Sequence, residues 1–123
     1  MATAINLQQE VDKILVEYNA KVSKLANEEI TDVAKEATKK LRQTSPKKTG
    51  KYAKGWTYQV EKGRISNEAT VYGKKDTYPL AHLLEFGHAK RNGGRVAGIE
   101  HIKPVADWAA EELERRIIRR LDT

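Results

Sequence analysis

Apolar residues recur at Leu7, Val11, Ile14, Tyr18, Val22 and Leu25, and again at Val33, Ala37 and Leu41. Steps of three and four are the helical period, and they are interrupted only near Glu29. Leu15, Ala26, Ile30 and Ala34 widen the stripe, and no glycine or proline precedes Pro46. The pattern predicts one long N-terminal helix. From Leu7 to Leu41 it spans roughly 50 Å, whereas a domain of this length has a radius of gyration of about 14 Å. Such a helix either breaks, near Asn27, or carries part of its stripe beyond the core. An overhanging apolar stripe needs a partner.

After the helix the pattern changes. Residues 42–55, with Pro46 and Gly50, read as a basic loop. Trp56-Thr57-Tyr58-Gln59-Val60 alternates apolar and polar positions, and Lys62-Gly63-Arg64 supplies a turn. Ile65, Asn67, Ala69 and Val71 then form one face of a return strand, with Thr70 and Tyr72 on the other. The expectation is an antiparallel hairpin. Thr77-Tyr78-Pro79-Leu80 opens a short helix, with Thr77 as N-cap and Pro79 in the first turn. Leu80, Leu83, Leu84 and Phe86 give it apolar contacts, and Gly87 ends it. Residues 88–98 read as a flexible basic loop and Ile99–Ile102 as a third short strand. A last helix follows, with Pro104 near its start and an apolar stripe of Val105, Trp108, Ala109, Leu113, Ile117 and Leu121. Its acidic residues come early and its arginines late, which complements the helix dipole. Glu111–Arg115 and Glu112–Arg116 form i,i+4 pairs on what reads as a solvated face. The fold class is therefore α+β, in a single domain over residues 1–123: a long N-terminal helix, a small antiparallel sheet, a short middle helix, and a C-terminal helix packed on the sheet.

Composition sharpens this picture. Leu, Ile, Val and Phe number 26 of 123 residues, so the core is thin. No cysteine occurs, which excludes disulfides and thiolate chemistry and suits a reducing compartment. No segment reads as a signal peptide or a membrane span. The net charge of +6 is unevenly placed. Residues 1–41 and 104–123 are each net −1, and residues 42–103 carry net +8. The middle therefore reads either as a solubility surface or as a face toward a polyanion or an acidic partner.

Candidate chemistry is sparse. His82 and Glu85 share a helix face and His88 lies just beyond, so a His–Glu–His metal site is conceivable. Nothing else in the sequence supports it, and no metal or cofactor is expected. The serines lack a nucleophile-elbow setting, and Gly93, Gly94 and Gly98 match no phosphate-binding fingerprint. An enzyme is not expected. Tyr52, Trp56 and Tyr58 lie among Lys47, Lys48, Lys51 and Lys54, a mixture that can stack bases and hold phosphates. Trp56 and Tyr58 alternate as strand residues facing a core, however, and no sequence-reading motif is present. A small basic nucleic-acid-binding protein is the alternative reading.

Three segments in order resemble a known family. Ser45-Pro46-Lys47-Lys48-Thr49-Gly50 follows the long helix and is similar to a P-x-x-T-G segment. Tyr78-Pro79-Leu80-Ala81-His82-Leu83-Leu84-Glu85-Phe86-Gly87 resembles a Y-A-x-x-x-E-x-G segment, with Pro79 and Leu80 interposed at the start of the short helix. Ile102-Lys103-Pro104-Val105 resembles a closing hydrophobic–x–P–A pattern, with Val105 in the alanine position. The family is that of the neck and tail-completion proteins of long-tailed bacteriophages, small head–tail joining or minor tail components. The resemblance implies an α+β subunit that acts by ring assembly around the DNA channel, without catalysis. It implies as partners further copies of itself, a head-closure or connector protein and a tail-tube or tail-terminator protein, with weak sequence-independent contact with phage DNA and none with a membrane. The expected location is the virion neck or tail, after assembly in the host cytoplasm. Assembly is expected to use the stripe residues Leu7, Val11, Ile14, Tyr18 and Val22. Lys47, Lys48, Lys51, Lys54, Lys90, Arg91 and Arg95 are expected to face a partner or DNA.

Overall fold

The computed structural model describes residues 7–46, 50–63, 67–75 and 77–122. Lys47, Lys48, Arg64 and Ile65 lie outside the described residues. Helix α1 spans Leu7–Thr44 without interruption. There is no break near Asn27, and at 38 residues the helix is about 57 Å long. A single helical turn, α2 (Lys51–Lys54), precedes strands β1 (Trp56–Glu61) and β2 (Glu68–Gly73). Helix α3 (Tyr78–Phe86) runs directly into β3 (Gly87–Ala89), which pairs with β4 (Arg95–Ala97). Helix α4 (Ile102–Leu121) closes the chain. The two sheets are separate antiparallel hairpins. In the first, Trp56 pairs with Gly73, Tyr58 with Val71 and Glu61 with Glu68.

The core is small, as the composition requires. Ala37 and Leu41 of α1, Tyr52 of α2, Trp56 of β1 and Val105 of α4 form its centre, with Val71, Leu84 and Trp108 packed around it. The end of α1 is stapled to β1. The Ser45 hydroxyl bonds back to the Leu41 carbonyl and accepts the Trp56 indole N–H at 2.9 Å, while the Arg42 Nε donates to the Trp56 carbonyl at 2.9 Å. Trp56 therefore spends its polar atom inside the core, and Tyr58 is half-buried on the same strand.

Helix α4 returns antiparallel along α1. Val105 packs near Leu41, and at the other end the Arg120 guanidinium reaches the Leu25 carbonyl at 3.4 Å and Glu28 at 2.9 Å. Arg116 bonds Glu112 one turn back at 2.9 Å and also Glu36 of α1. These arginines were expected on a solvated face. They instead clamp the two helices, and Arg115 pairs with Glu112 and not with Glu111. The carboxylates around them raise the affinity of both Arg116 and Arg120 for their protons, the bonds to Glu112 and Glu28 contributing most.

Three other expectations are corrected. Residues 99–101 are not a strand, because Ile102 already begins α4. The stretches read as loops contain α2, which buries Tyr52 and Ala53, and the β3–β4 hairpin. Strands of three residues are too short to show an alternating pattern, and the intervening glycines disguise them further. Thr77 makes no side-chain cap to α3. Its hydroxyl donates to the Tyr52 carbonyl at 2.9 Å and the residue is fully buried.

What starts α4 at Ile102 is a carboxylate from another helix. Glu85, only 6% exposed, accepts the backbone N–H groups of His101 and Ile102 on Oε1, at 2.7 and 2.8 Å, and that of Lys103 on Oε2 at 2.9 Å. Three of the unpaired donors at the helix N-terminus are met by one side chain, at the positive end of the helix dipole. His101 Nδ1 lies 2.6 Å from the Ile99 carbonyl and 3.0 Å from Glu85 Oε1, two acceptors, so Nδ1 carries the proton. Nε2 shares a hydrogen bond with the Tyr52 hydroxyl at 2.6 Å. Burial raises the Glu85 pKa, but the three N–H bonds and His101 lower it more, leaving it below the usual glutamate value. Burial and the Glu85 charge push the Tyr52 hydroxyl up to about 12.

Because the folded-state pKa of Glu85 is depressed, its contribution to stability is present above the ordinary value of about 4.5. It is lost as pH falls through the depressed folded value. Replacing Glu85 by Ala strands buried donors and is expected to cost about 3 kcal/mol at pH 7. In thermal melts, Glu85→Gln should also lie below the wild type at pH 7, and the gap should close as the pH drops below about 4.5. A gap that stays constant from pH 7 to pH 3 would show that the ionised carboxylate is not what secures α4.

Candidate functional site

Residues 7–21 of α1 are all exposed. The cause is a mismatch of length. Helix α4 ends beside Leu25, where Arg120 meets the Leu25 carbonyl and Glu28, and the helix before it lies in solvent. Leu7, Ile14 and Tyr18 are 68%, 61% and 55% exposed, and Val11, Leu15 and Val16 are also exposed. Val22, at the base of this projection, is half-buried. Leu7, Val11, Ile14 and Tyr18 follow one another at steps of four, three and four, the narrow seam spacing of helices that pack on other helices. Glu10, Asp12 and Glu17, against Lys13, give residues 7–20 a net charge of −2. A helix end carrying Val, Ile and Tyr in water gains little from its own propensity, and packing is what normally secures such a segment.

The expected basic residues separate into two groups carried by different elements. Lys51 and Lys54 line an open cleft of about 380 Å³ together with Lys74, Lys75, Gly55 and Thr77. The β1–β2 register builds this cleft. It sets Trp56 opposite Gly73, and the Lys74 N–H then bonds the Gly55 carbonyl at 2.8 Å. Glycine is required at position 55, where a Cβ would stand 1.7 Å from the Thr77 hydroxyl oxygen. Lys74 and Lys75 were not among the residues singled out in the sequence. The signal that would have found them is the hairpin register, which returns the end of β2 to the start of β1.

Lys90, Arg91 and Arg95 sit on the β3–β4 hairpin and are exposed. The hairpin is joined tightly to α3. Gly87 adopts φ 80°, and a Cβ there would lie 2.3 Å from the Val96 carbonyl oxygen. The Arg95 guanidinium donates to the Phe86 carbonyl at 2.8 Å, and the Ile99 N–H to the Leu84 carbonyl at 2.7 Å. Phe86 was expected to give α3 an apolar contact. It is instead 70% exposed, and Val96 and Ile99 of the adjoining hairpin segment are exposed as well. The positive φ of Gly87 reverses the chain just after Phe86, and the hairpin takes up the space against the end of α3.

The conceivable metal set is not brought together. Glu85 is buried and committed to α4 and His101, whereas His82 and His88 are exposed. Among the described residues no group of three His, Asp or Glu side chains is placed to hold a metal ion. The base-stacking arrangement fails in the same way, because Tyr52 and Trp56 are core residues whose rings meet edge-on at 5.9 Å. No helix among the described residues is long and apolar enough to cross a membrane.

The profile of one protein family, described as "Bacteriophage HK97-gp10, putative tail-component", matches residues 7–87. The match includes the projecting half of α1, the lysine cleft, α3 and Glu85. It ends at Gly87, before the second hairpin turns and before α4. Neither a curated protein nor a solved structure matches the chain. With about two thirds of its length matched in one continuous span, the chain belongs to the HK97-gp10-like family of bacteriophage tail components.

Proposed function

We propose that this structural virion protein joins or completes the head–tail interface of a long-tailed phage or prophage, as a subunit of a neck or tail-completion ring around the DNA channel. The observation that carries the reading is the projecting half of α1, which presents an apolar seam that nothing in the described chain covers, in a member of a tail-component family. On this reading its partners are further copies of itself, a head-closure or connector protein on one side and a tail-tube or tail-terminator protein on the other. It is assembled in the host cytoplasm and acts in the virion. The driving force is burial. Side chains that are about half to two-thirds exposed contribute roughly 1 kcal/mol each when covered. Four or five of them are enough to bias assembly once a preceding ring has positioned the subunit. The act is one of docking and needs no bond-making chemistry.

The lysine cleft supports a second contact within the same role. Ammonium groups on flexible stems act as hydrated point charges without fixed geometry. Lys51, Lys54, Lys74 and Lys75 therefore suit loose, sequence-independent contact with phosphates that must slide past.

Inactivating the gene in its phage should leave DNA-filled heads and complete tails unjoined, and adding the purified protein should restore joined particles. Joined, infectious particles without the protein would overturn the reading. Val11→Lys should keep the melting temperature of the wild type, because Val11 is exposed, yet fail to restore joining. Changing Lys51, Lys54, Lys74 and Lys75 together to Gln should preserve the fold and abolish a weak DNA affinity. In the wild type that affinity should fall with salt at a log–log slope no steeper than about −4. Tight wild-type binding to one particular sequence at physiological salt would instead favour a nucleic-acid-binding protein.

A further inference from the structure

The two uncovered apolar surfaces lie at opposite ends of the molecule. The antiparallel packing of α1 and α4 puts the α1 projection at the C-terminal end of α4, beyond Leu25 and Arg120. Glu85 ties α3 to the N-terminal end of α4, and the β3–β4 hairpin is bonded to the end of α3. Phe86, Val96 and Ile99 are therefore displayed at the far end from Leu7, Val11, Ile14 and Tyr18. The two surfaces are also opposite in charge. Glu10 and Glu17 flank the α1 seam, whereas Lys90, Arg91 and Arg95 are carried by the hairpin.

We propose that the α1 projection of one copy docks on the β3–β4 hairpin face of the next, so that the subunits associate head to tail. This rests on the ring reading above and assigns the two surfaces that would make the ring. Opposite charges around an apolar centre steer encounter and fix orientation. A contact between two different surfaces of the same chain is heterologous, the kind that propagates around a ring when the rotation closes. The projection extends roughly 25 Å beyond α4, far enough to reach across a neighbour's end.

Pairing of α1 projections with each other fits less well. Side by side in parallel, two projections would cover each other's seams in a closed pair that propagates no further. Antiparallel pairing would use up both seams in a closed two-fold dimer and leave Phe86, Val96 and Ile99 uncovered.

Sedimentation velocity at rising concentration tests the assignment with three proteins. The wild type should self-associate, more weakly as salt is raised. Ile14→Glu disables the projection and Phe86→Glu disables the hairpin face. Both residues are exposed, so both variants should fold, and each alone should remain monomeric. Mixed in equal amounts, the two variants should form a one-to-one heterodimer, since each supplies the surface the other lacks. Arg91→Glu should behave as Phe86→Glu does in the same mixture. A mixture that stays monomeric, a Phe86→Glu variant that self-associates like the wild type, or a wild type that is monomeric at millimolar concentration would each overturn the proposal. Should it fail while head–tail joining still depends on the gene, the ring reading stands and the subunits meet through other surfaces.

Discussion

Everything distal to the first hairpin depends on where α4 begins, and the Glu85 carboxylate decides that. Taking a carboxylate out of water is costly, and here it is offset by three backbone N–H groups, the helix dipole and the neighbouring His101. Without it the buried start of α4 would hold several unpaired donors. The same contact threads through the core, because His101 also meets Tyr52, and Tyr52 touches Trp56 edge-on. Trp56 in turn closes the end of α1 through Ser45. Two short buried hydrogen-bonded groups, joined by the Tyr52–Trp56 ring contact, thus connect α1, α2, β1, α3 and α4. Their members satisfy one another, the condition under which a buried polar network specifies a structure instead of weakening it.

The uncovered half of α1 follows from this constraint by arithmetic. Once Glu85 sets the first turn of α4 near Leu41, a helix of 20 residues reaches only as far as Leu25 on a helix of 38. Arg116 and Arg120 hold it in that register through Glu28, Glu29 and Glu36. The first four or so turns of α1 stay exposed, although their apolar seam is as regular as the part that is buried. On the proposed reading that seam is what a neighbouring surface in the particle covers.

The fold gathers seven of the basic residues of 42–103 onto two different surfaces, Lys51, Lys54, Lys74 and Lys75 on one and Lys90, Arg91 and Arg95 on the other. The lysine cleft joins α2 to the end of β2 and is purely cationic among its described lining residues. The hairpin face mixes cations with exposed Phe86, Val96 and Ile99. A cationic cleft suits a polyanion, and a mixed patch suits an acidic, apolar protein surface. The net charge alone expressed neither distinction.

The period of the apolar residues, together with the absence of glycine and proline before Pro46, was enough to determine a long helical segment, and the structure decided that it runs unbroken past Asn27 with part of its stripe uncovered. Alternation in Trp56–Val60 and the run after Gly63 determined the first hairpin, and the dipole-ordered charges of the last segment marked α4. These are local properties, written within a few residues of where they act. The rest needed the tertiary structure because it joins residues far apart in the chain. Glu85 reads as an ordinary helix glutamate until the fold brings it, 16 to 18 residues on, to the start of α4. Residues 99–101 look extended by composition, and only that carboxylate determines where the helix starts. The β3–β4 hairpin is too short and glycine-rich to show a period, and Phe86 reads as an apolar contact of α3 until the turn at Gly87 leaves it outside. Lys74 and Lys75 join Lys51 and Lys54 only through strand register. Local periodicity specified the long helices and the first hairpin, and long-range burial and hydrogen bonding decided which of their faces stay exposed.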